Sequence, residues 1–260
     1  MFKPPLDLAK ARILISNDDG IHAPGLKVLE QAARALSRDV WVVAPETEQS
    51  GASHSLTLHR PLRIRRLGPR RFAVDGTPSD SVLLAINRIL KDRRPALVLS
   101  GVNRGANLGE DVTYSGTIAA AMEATLLGVP AIALSQIAES DDTAKWPTAA
   151  AYIGPVVRGL TGTGWPRNVF INVNFPDIAA DAVNGIRITR QGRRKLGDEL
   201  VERRDPRGRP YYWIGAMRLE EAARPGTDIA AINAGAISVT PLYLDLTHEA
   251  TIKKLKGAFA

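Results

Sequence analysis

Residues Arg12–Ala44 read RILISNDDGIHAPGLKVLEQAARALSRDVWVVA, and this stretch decides the fold. Arg12–Ser16 is a compact apolar run ending in polar residues, which predicts a buried strand. Leu26, Leu29, Ala33 and Leu36 recur at helical spacing, so a helix follows. Val40–Ala44 predicts the next strand. A strand, a helix and a strand in so short a space form a βαβ unit, with its two strands parallel.

The pattern continues outward. Ser79–Leu90 predicts a helix, with Ser79 as N-cap and the stripe Val82, Leu83, Ile86 and Ile89. Leu97–Ser100, Ala131–Ser135 and Val169–Asn174 are further short apolar runs, and Ile118, Met122 and Leu126 mark a helix between the first two. The expected class is α/β: a mostly parallel sheet with helices on both faces. After about Gly185 the character changes. Arg187, Arg190, Arg193, Arg194, Lys195, Arg203, Arg204, Arg207 and Arg209 crowd a stretch punctuated by Pro206, Gly208 and Pro210. Tyr211–Ile214 follows as a strand, so this part reads as an extended arm or hairpin. Apolar runs return at Ile229–Asn233 and Ile237–Leu242, and a short helix is expected from about Thr247. The division is thus a core over 10–185 and a β-rich C-terminal extension over 186–260.

A chain of 260 residues, 45% hydrophobic and 23% charged, has the composition of a soluble globular protein with a sizeable core. It contains no cysteine, which excludes disulfides, thiolate zinc sites and cysteine nucleophiles and suits a reducing cytoplasm. The N-terminus MFKPPLDLAKA lacks an apolar core of signal-peptide length, and no run reaches the roughly 20 apolar residues of a membrane helix. A cytoplasmic location without a membrane partner is expected. The formal charge of +7 fits phosphorylated partners, or simply a solvated basic face.

In such sheets, ligands bind beyond the carboxyl ends of the strands. Four loops there are unusual. Ser16–Gly20 (SNDDG) places two adjacent carboxylates at a strand end, where they repel unless a cation lies between them; a solvated turn is the plainer alternative. Pro45–Ser55 (PETEQSGASHS) can supply a hydroxyl at Ser50 and backbone N–H groups for phosphate, or be an ordinary surface loop. Ser100–Gly109 (SGVNRGANLG) packs glycines and asparagines together, and an asparagine oxygen can ligate a hard metal; it is neither a Walker A loop nor a dinucleotide fingerprint. Tyr114–Thr117 (YSGT) opens a helix whose free N–H groups suit an anion, with Ser115 and Thr117 adding hydroxyls; simple capping is compatible with this. Together the four loops describe a metal and a phosphate cradle.

These segments resemble the SurE (survival protein E) family of nucleotidases. The resemblance runs from SNDDG to SVTPL (Ser238–Leu242) and is carried by ILISNDDGIHAPG, VVAPETEQSGASHSLTL, VDGTPSDSV, SGVNRGANLGEDVTYSGTIAAAME and NVNFP. It implies a Rossmann-like core, one divalent cation per subunit (Mg²⁺ or Mn²⁺), hydrolysis of nucleoside 5′- and 3′-monophosphates, and homodimers or homotetramers that exchange C-terminal segments. It places the metal ligands on Asp18, Asp19, Ser50 and Asn103. Ser79, Ser81 and Ala124 depart from the family's usual alanine, cysteine and glycine, and none is a ligand.

The expectation is therefore a metal-dependent phosphatase, with short polyphosphate as a further substrate. Asp18 and Asp19 are the catalytic pair. Gly51, Ser115, Gly116 and Thr117 bind substrate phosphate; the sequence does not decide whether Asp19 is also the general base or one Asp attacks covalently, and direct attack by water is preferred because both carboxylates hold the metal. The alternative is a nucleotide- or nucleic-acid-binding module without turnover. No stable nucleic-acid partner is expected, because the basic arm lacks interleaved aromatics before Tyr211. His22 and His54 lie in site loops and read mainly as non-catalytic. Asp75 is expected to brace a turn and helix cap.

Overall fold

The structure is a computed structural model that describes residues 4–138, 144–196, 200–214, 218–220 and 223–258. The strands are β1 (Arg12–Ser16), β2 (Asp39–Pro45), β3 (Ile64–Gly68), β4 (Arg71–Val74), β5 (Leu97–Arg104), β6 (Ala131–Gln136), β7 (Val169–Phe175), β8 (Ile186–Ile188), β9 (Arg194–Leu196), β10 (Leu200–Arg204), β11 (Pro210–Ile214), β12 (Arg218–Glu220) and β13 (Ile237–Tyr243). The helices are α1 (Pro24–Leu36), α2 (Pro78–Leu84), α3 (Gly116–Leu126), α4 (Trp146–Thr163), α5 (Asp228–Asn233) and α6 (Glu249–Lys256).

A nine-stranded sheet runs in the order β3-β4-β2-β1-β5-β6-β7-β13-β8. Its centre is parallel: β1 pairs with β2 and β5, β5 with β6, and β6 with β7. The inner strands are buried on both faces, which explains why they read as unbroken apolar runs. One core layer joins α1 and α4 to the sheet through Leu26, Leu29, Ile153 and Val157. The other joins α2 and α3 through Val82, Ile86, Ile118 and Ala121. The expected α/β sheet with helices on both faces is present.

Several local readings are corrected. The N-cap of α2 is Thr77, not Ser79: Thr77 Oγ1 accepts the Asp80 N–H, and Asp80 accepts the Thr77 N–H in return. Ser79 is buried within the helix. The regular helix ends at Leu84 and continues as a π-turn, Ala85–Ile89. Ile229–Asn233 belongs to a short helix capped by Thr227, not to a strand. Asp75 does not cap the helix; it accepts the Arg63 N–H at 2.7 Å, across the open end of the β3–β4 hairpin.

The extension divides by role. β10 and β11 form the expected antiparallel hairpin. β13 instead enters the main sheet antiparallel to β7, and β8 pairs parallel with β13 as that sheet's edge strand. The boundary at 185/186 therefore marks a change of composition and not a separate core. No helix among the described residues is long and apolar enough to cross a membrane.

Candidate metal and phosphate site

The carboxyl ends of β1, β2 and β5 meet the start of α3, where a cleft of about 240 Å³ is lined by Asp18, Ser50, Gly51, Asn103 and Ser115, among others. Asp19 faces an adjoining hollow with Glu48 and Arg104. Arg104 borders both spaces.

β1 delivers the two aspartates. Asp18 is almost fully buried, and its Oδ1 accepts a hydrogen bond from the Thr117 hydroxyl. Gly116 must be glycine for this approach, since a Cβ there would stand 2.7 Å from Asp18 Cβ. Asp19 Oδ2 accepts the Arg104 N–H at 3.3 Å. The loop after β2 is tied down by the Gln49 N–H donating to Asp18 O at 2.8 Å. Ser50 Oγ donates to Glu48 at 2.8 Å. β5 shifts register against β6 between Ser100 and Asn103, and such a bulge re-aims a side chain. Asn103 then donates its amide to Gly105 O at 3.0 Å, a contact that uses its nitrogen and not its side-chain oxygen.

These residues fit a hard divalent cation. The donors are two carboxylates, a hydroxyl and an amide oxygen, the set that Mg²⁺ and Mn²⁺ prefer. Among the described residues, no group of three or more His, Cys, Asp or Glu stands together as a metal-holding cluster. Burial pushes Asp18 above its ordinary range. Burial and then the neighbouring Asp18 charge push Asp19 up to about 7. Two adjacent carboxylates in this environment carry an electrostatic cost that a bound cation removes.

The expected phosphate cradle is only partly open. Gly51 and Ser115 line the cleft. Gly116 and Thr117 are buried behind it against Asp18. The Thr117 hydroxyl donates to the Asp18 carboxylate and so supports it. Ser115 caps α3, its Oγ accepting the Ile118 N–H at 3.1 Å.

The family profile described as Survival protein SurE matches residues 13–198. The chain belongs to the SurE family. Two SurE relatives, each named 5′-nucleotidase SurE, match over nearly their full lengths. That of Paramagnetospirillum magneticum is 64% identical over 99% of both chains, and that of Rhodospirillum rubrum 60% over 100% of both. Among solved structures, the SurE protein from Aquifex aeolicus superposes with a TM-score of 0.84 at 41% identity, covering 96% of this chain and 100% of that one. The SurE segment 13–198 contains every cleft residue named above.

Sequence reasoning missed four contributors to this SurE site. Glu48 and Arg104 sit in recognised loops, but their roles depend on how those loops fold together. Asp111 lines the cleft from the 3-10 turn Gly109–Thr113. Asp228 reaches the site loop from α5 by accepting the Gly109 N–H at 3.0 Å, across a chain separation that no motif spacing reveals. His54 pairs with Glu123 at 2.9 Å, away from the aspartates, and His22 is exposed.

Proposed function

We propose that this SurE-family chain is a metal-dependent 5′-nucleotidase, a phosphoric monoester hydrolase that releases orthophosphate from nucleoside monophosphates. The observation that carries the reading is the Asp18–Asp19 pair at a strand end, Asp18 buried beside Ser50, Asn103 and Ser115 and Asp19 half-buried in the adjoining hollow. Adjacent carboxylates would repel phosphate in a simple binding module; with a divalent cation they become the means of holding it. The names of the relatives agree.

When bound, the cation supplies Lewis acidity and charge compensation. Asp18, Asp19, Ser50 Oγ and Asn103 Oδ1 would hold it. Thr117 fixes the Asp18 carboxylate, and the Arg104 N–H fixes Asp19. The Gly51 N–H and Ser115 face the phosphate oxygens, with the positive end of the α3 dipole behind them. Both aspartates are engaged, so water is the nucleophile. It attacks phosphorus, the ester P–O bond breaks, and the nucleoside oxygen leaves with a proton.

The groups described here recognise phosphate and not the base. The reading therefore extends to 3′-monophosphates and short polyphosphate. Magnesium or manganese and a cytoplasmic location complete it. A homo-oligomer is supported by the hairpin β10–β11, which exposes Leu200, Tyr211, Tyr212, Trp213 and Ile214, a costly surface to leave in water. Phosphate release from AMP, GMP, a 3′-monophosphate and tripolyphosphate, with and without chelator, tests the function. No metal-dependent release from any of them would refute it.

A further inference from the structure

The 3-10 turn Gly109–Thr113 stands between the Asn103 loop and the start of α3. The N–H groups of Tyr114 and Ser115 both donate to Asp111 O, at 3.0 and 3.1 Å. Asp111 therefore helps set where Ser115 stands. Its side chain also forms part of the cleft wall and is nearly buried. A carboxylate in that position opposes the approach of a phosphate dianion.

What holds this turn comes from the C-terminal extension. Arg194 Nη2 donates to Asp111 Oδ2 at 2.7 Å, and the two side chains are only 8% and 7% exposed. The Arg194 N–H donates to the Glu110 carboxylate. Gln191 Nε2 donates to Gly109 O at 2.8 Å. Asp228 accepts from Gly109 N at 3.0 Å and from Gly192 N at 2.7 Å, joining both segments to α5. Gly109 has φ +53°, and a Cβ there would lie 3.0 Å from Arg194 N, so the two backbones meet directly. The SurE-matched segment ends at residue 198, beyond Arg194, although the change in sequence character comes earlier, near Gly185.

We infer that Arg194 is a positioning residue for phosphate binding: its guanidinium cancels the Asp111 charge in the cleft wall and pins the turn that carries Ser115. The base of the extension does not line the cleft itself; it acts by holding the Gly109–Thr113 turn that does. Breaking a buried pair by removing one partner leaves an uncompensated charge, whereas replacing both partners does not. The inference rests on the phosphate-cleft reading above.

The test uses full-length protein with magnesium and orthophosphate as the probe. Arg194→Met is compared with Asp111→Asn/Arg194→Met, measuring orthophosphate Kd by calorimetry and kcat and KM for AMP. The single variant is expected to weaken orthophosphate about tenfold and raise KM for AMP by a similar factor, with kcat changed less than about twofold. The double variant is expected to recover orthophosphate affinity to within about threefold of wild type. Wild-type phosphate affinity in Arg194→Met, or a double variant no better than the single, would overturn the inference. So would a fall in kcat and thermal stability with phosphate affinity unchanged, which is what a merely structural role produces. If Arg194→Met fails to fold, the double variant decides: near-native orthophosphate affinity supports the inference and a tenfold loss overturns it. The predicted phosphate pattern in a wild-type protein that never hydrolyses AMP would support the inference while refuting the nucleotidase reading.

Discussion

The Thr117 hydroxyl donates to the Asp18 carboxylate, joining the first turn of α3 to the end of β1. A buried carboxylate without a donor is costly, so this bond fixes the side chain that the metal site is built upon. Thr117→Val keeps the shape and removes the donor. It is expected to weaken Mg²⁺ binding several-fold by calorimetry and to lower AMP turnover, while orthophosphate affinity at saturating metal changes little. A larger loss in phosphate than in metal affinity would return Thr117 to the phosphate cradle.

Ser115 should behave in the opposite way. Ser115→Ala removes both an N-cap and a cleft hydroxyl. It is expected to cost about 1 kcal/mol in urea denaturation, the usual value of an N-cap, and to raise the orthophosphate Kd with the metal Kd unchanged. Equal weakening of both ligands would contradict the division of roles.

Acid stability is expected to depend on Asp39. Burial alone would raise its carboxyl, but hydrogen bonds from Arg12 and Trp41 and the charges of Arg12 and Arg70 outweigh it and hold the group below its usual range. A carboxyl depressed in the folded state stabilises the fold above its unfolded pKa, about 3.9, and loses that contribution as pH falls through the folded value. Asp39→Asn should therefore destabilise the protein at pH 7 and converge with wild type as pH falls from about 3.9 through the depressed folded value. A constant difference between the two across that range would show that the carboxyl charge is not responsible.

Deleting Leu200–Arg209 removes β10 and the turn while sparing Arg194, so assembly is tested without disturbing the cleft wall. Light scattering is expected to give a smaller oligomer that still binds orthophosphate. An unchanged oligomer, or a monomeric wild type at micromolar concentration, would contradict the assembly role of the hairpin.

The parallel core was legible because each buried strand announces itself as an unbroken apolar run, as RILIS and VWVVA do. α4 was not read: Pro147 lies in its first turn, and Pro155 and several glycines interrupt its apolar spacing, which its packing against α1 overrides. The hairpin β3–β4 escaped because β3 carries two arginines and is half-exposed, while β4 offers only the three-residue apolar run Phe72–Val74. The candidate ligands were read as polar residues past strand ends; Asp18, Asp19 and Ser50 do follow β1 and β2, whereas Asn103 lies within β5, which runs on to Arg104 after its register shift. The Thr117–Asp18 hydrogen bond was not legible, because motif composition does not show which way a hydroxyl points. Arg194 and Asp228 were invisible as site residues because only folding brings the extension back to Gly109 and Asp111.

The central claim is a phosphatase centre built on Asp18 and Asp19. It is tested most directly by phosphate release from AMP at saturating Mg²⁺, measured for wild type, wild type with excess chelator, Asp18→Asn and Asp19→Asn, with folding checked by circular dichroism. The account predicts steady release by wild type, loss with chelator, recovery when the metal is restored, and at least about a hundredfold loss in each folded variant. Near-normal turnover by either variant, or wild-type release that chelator leaves untouched, would contradict it.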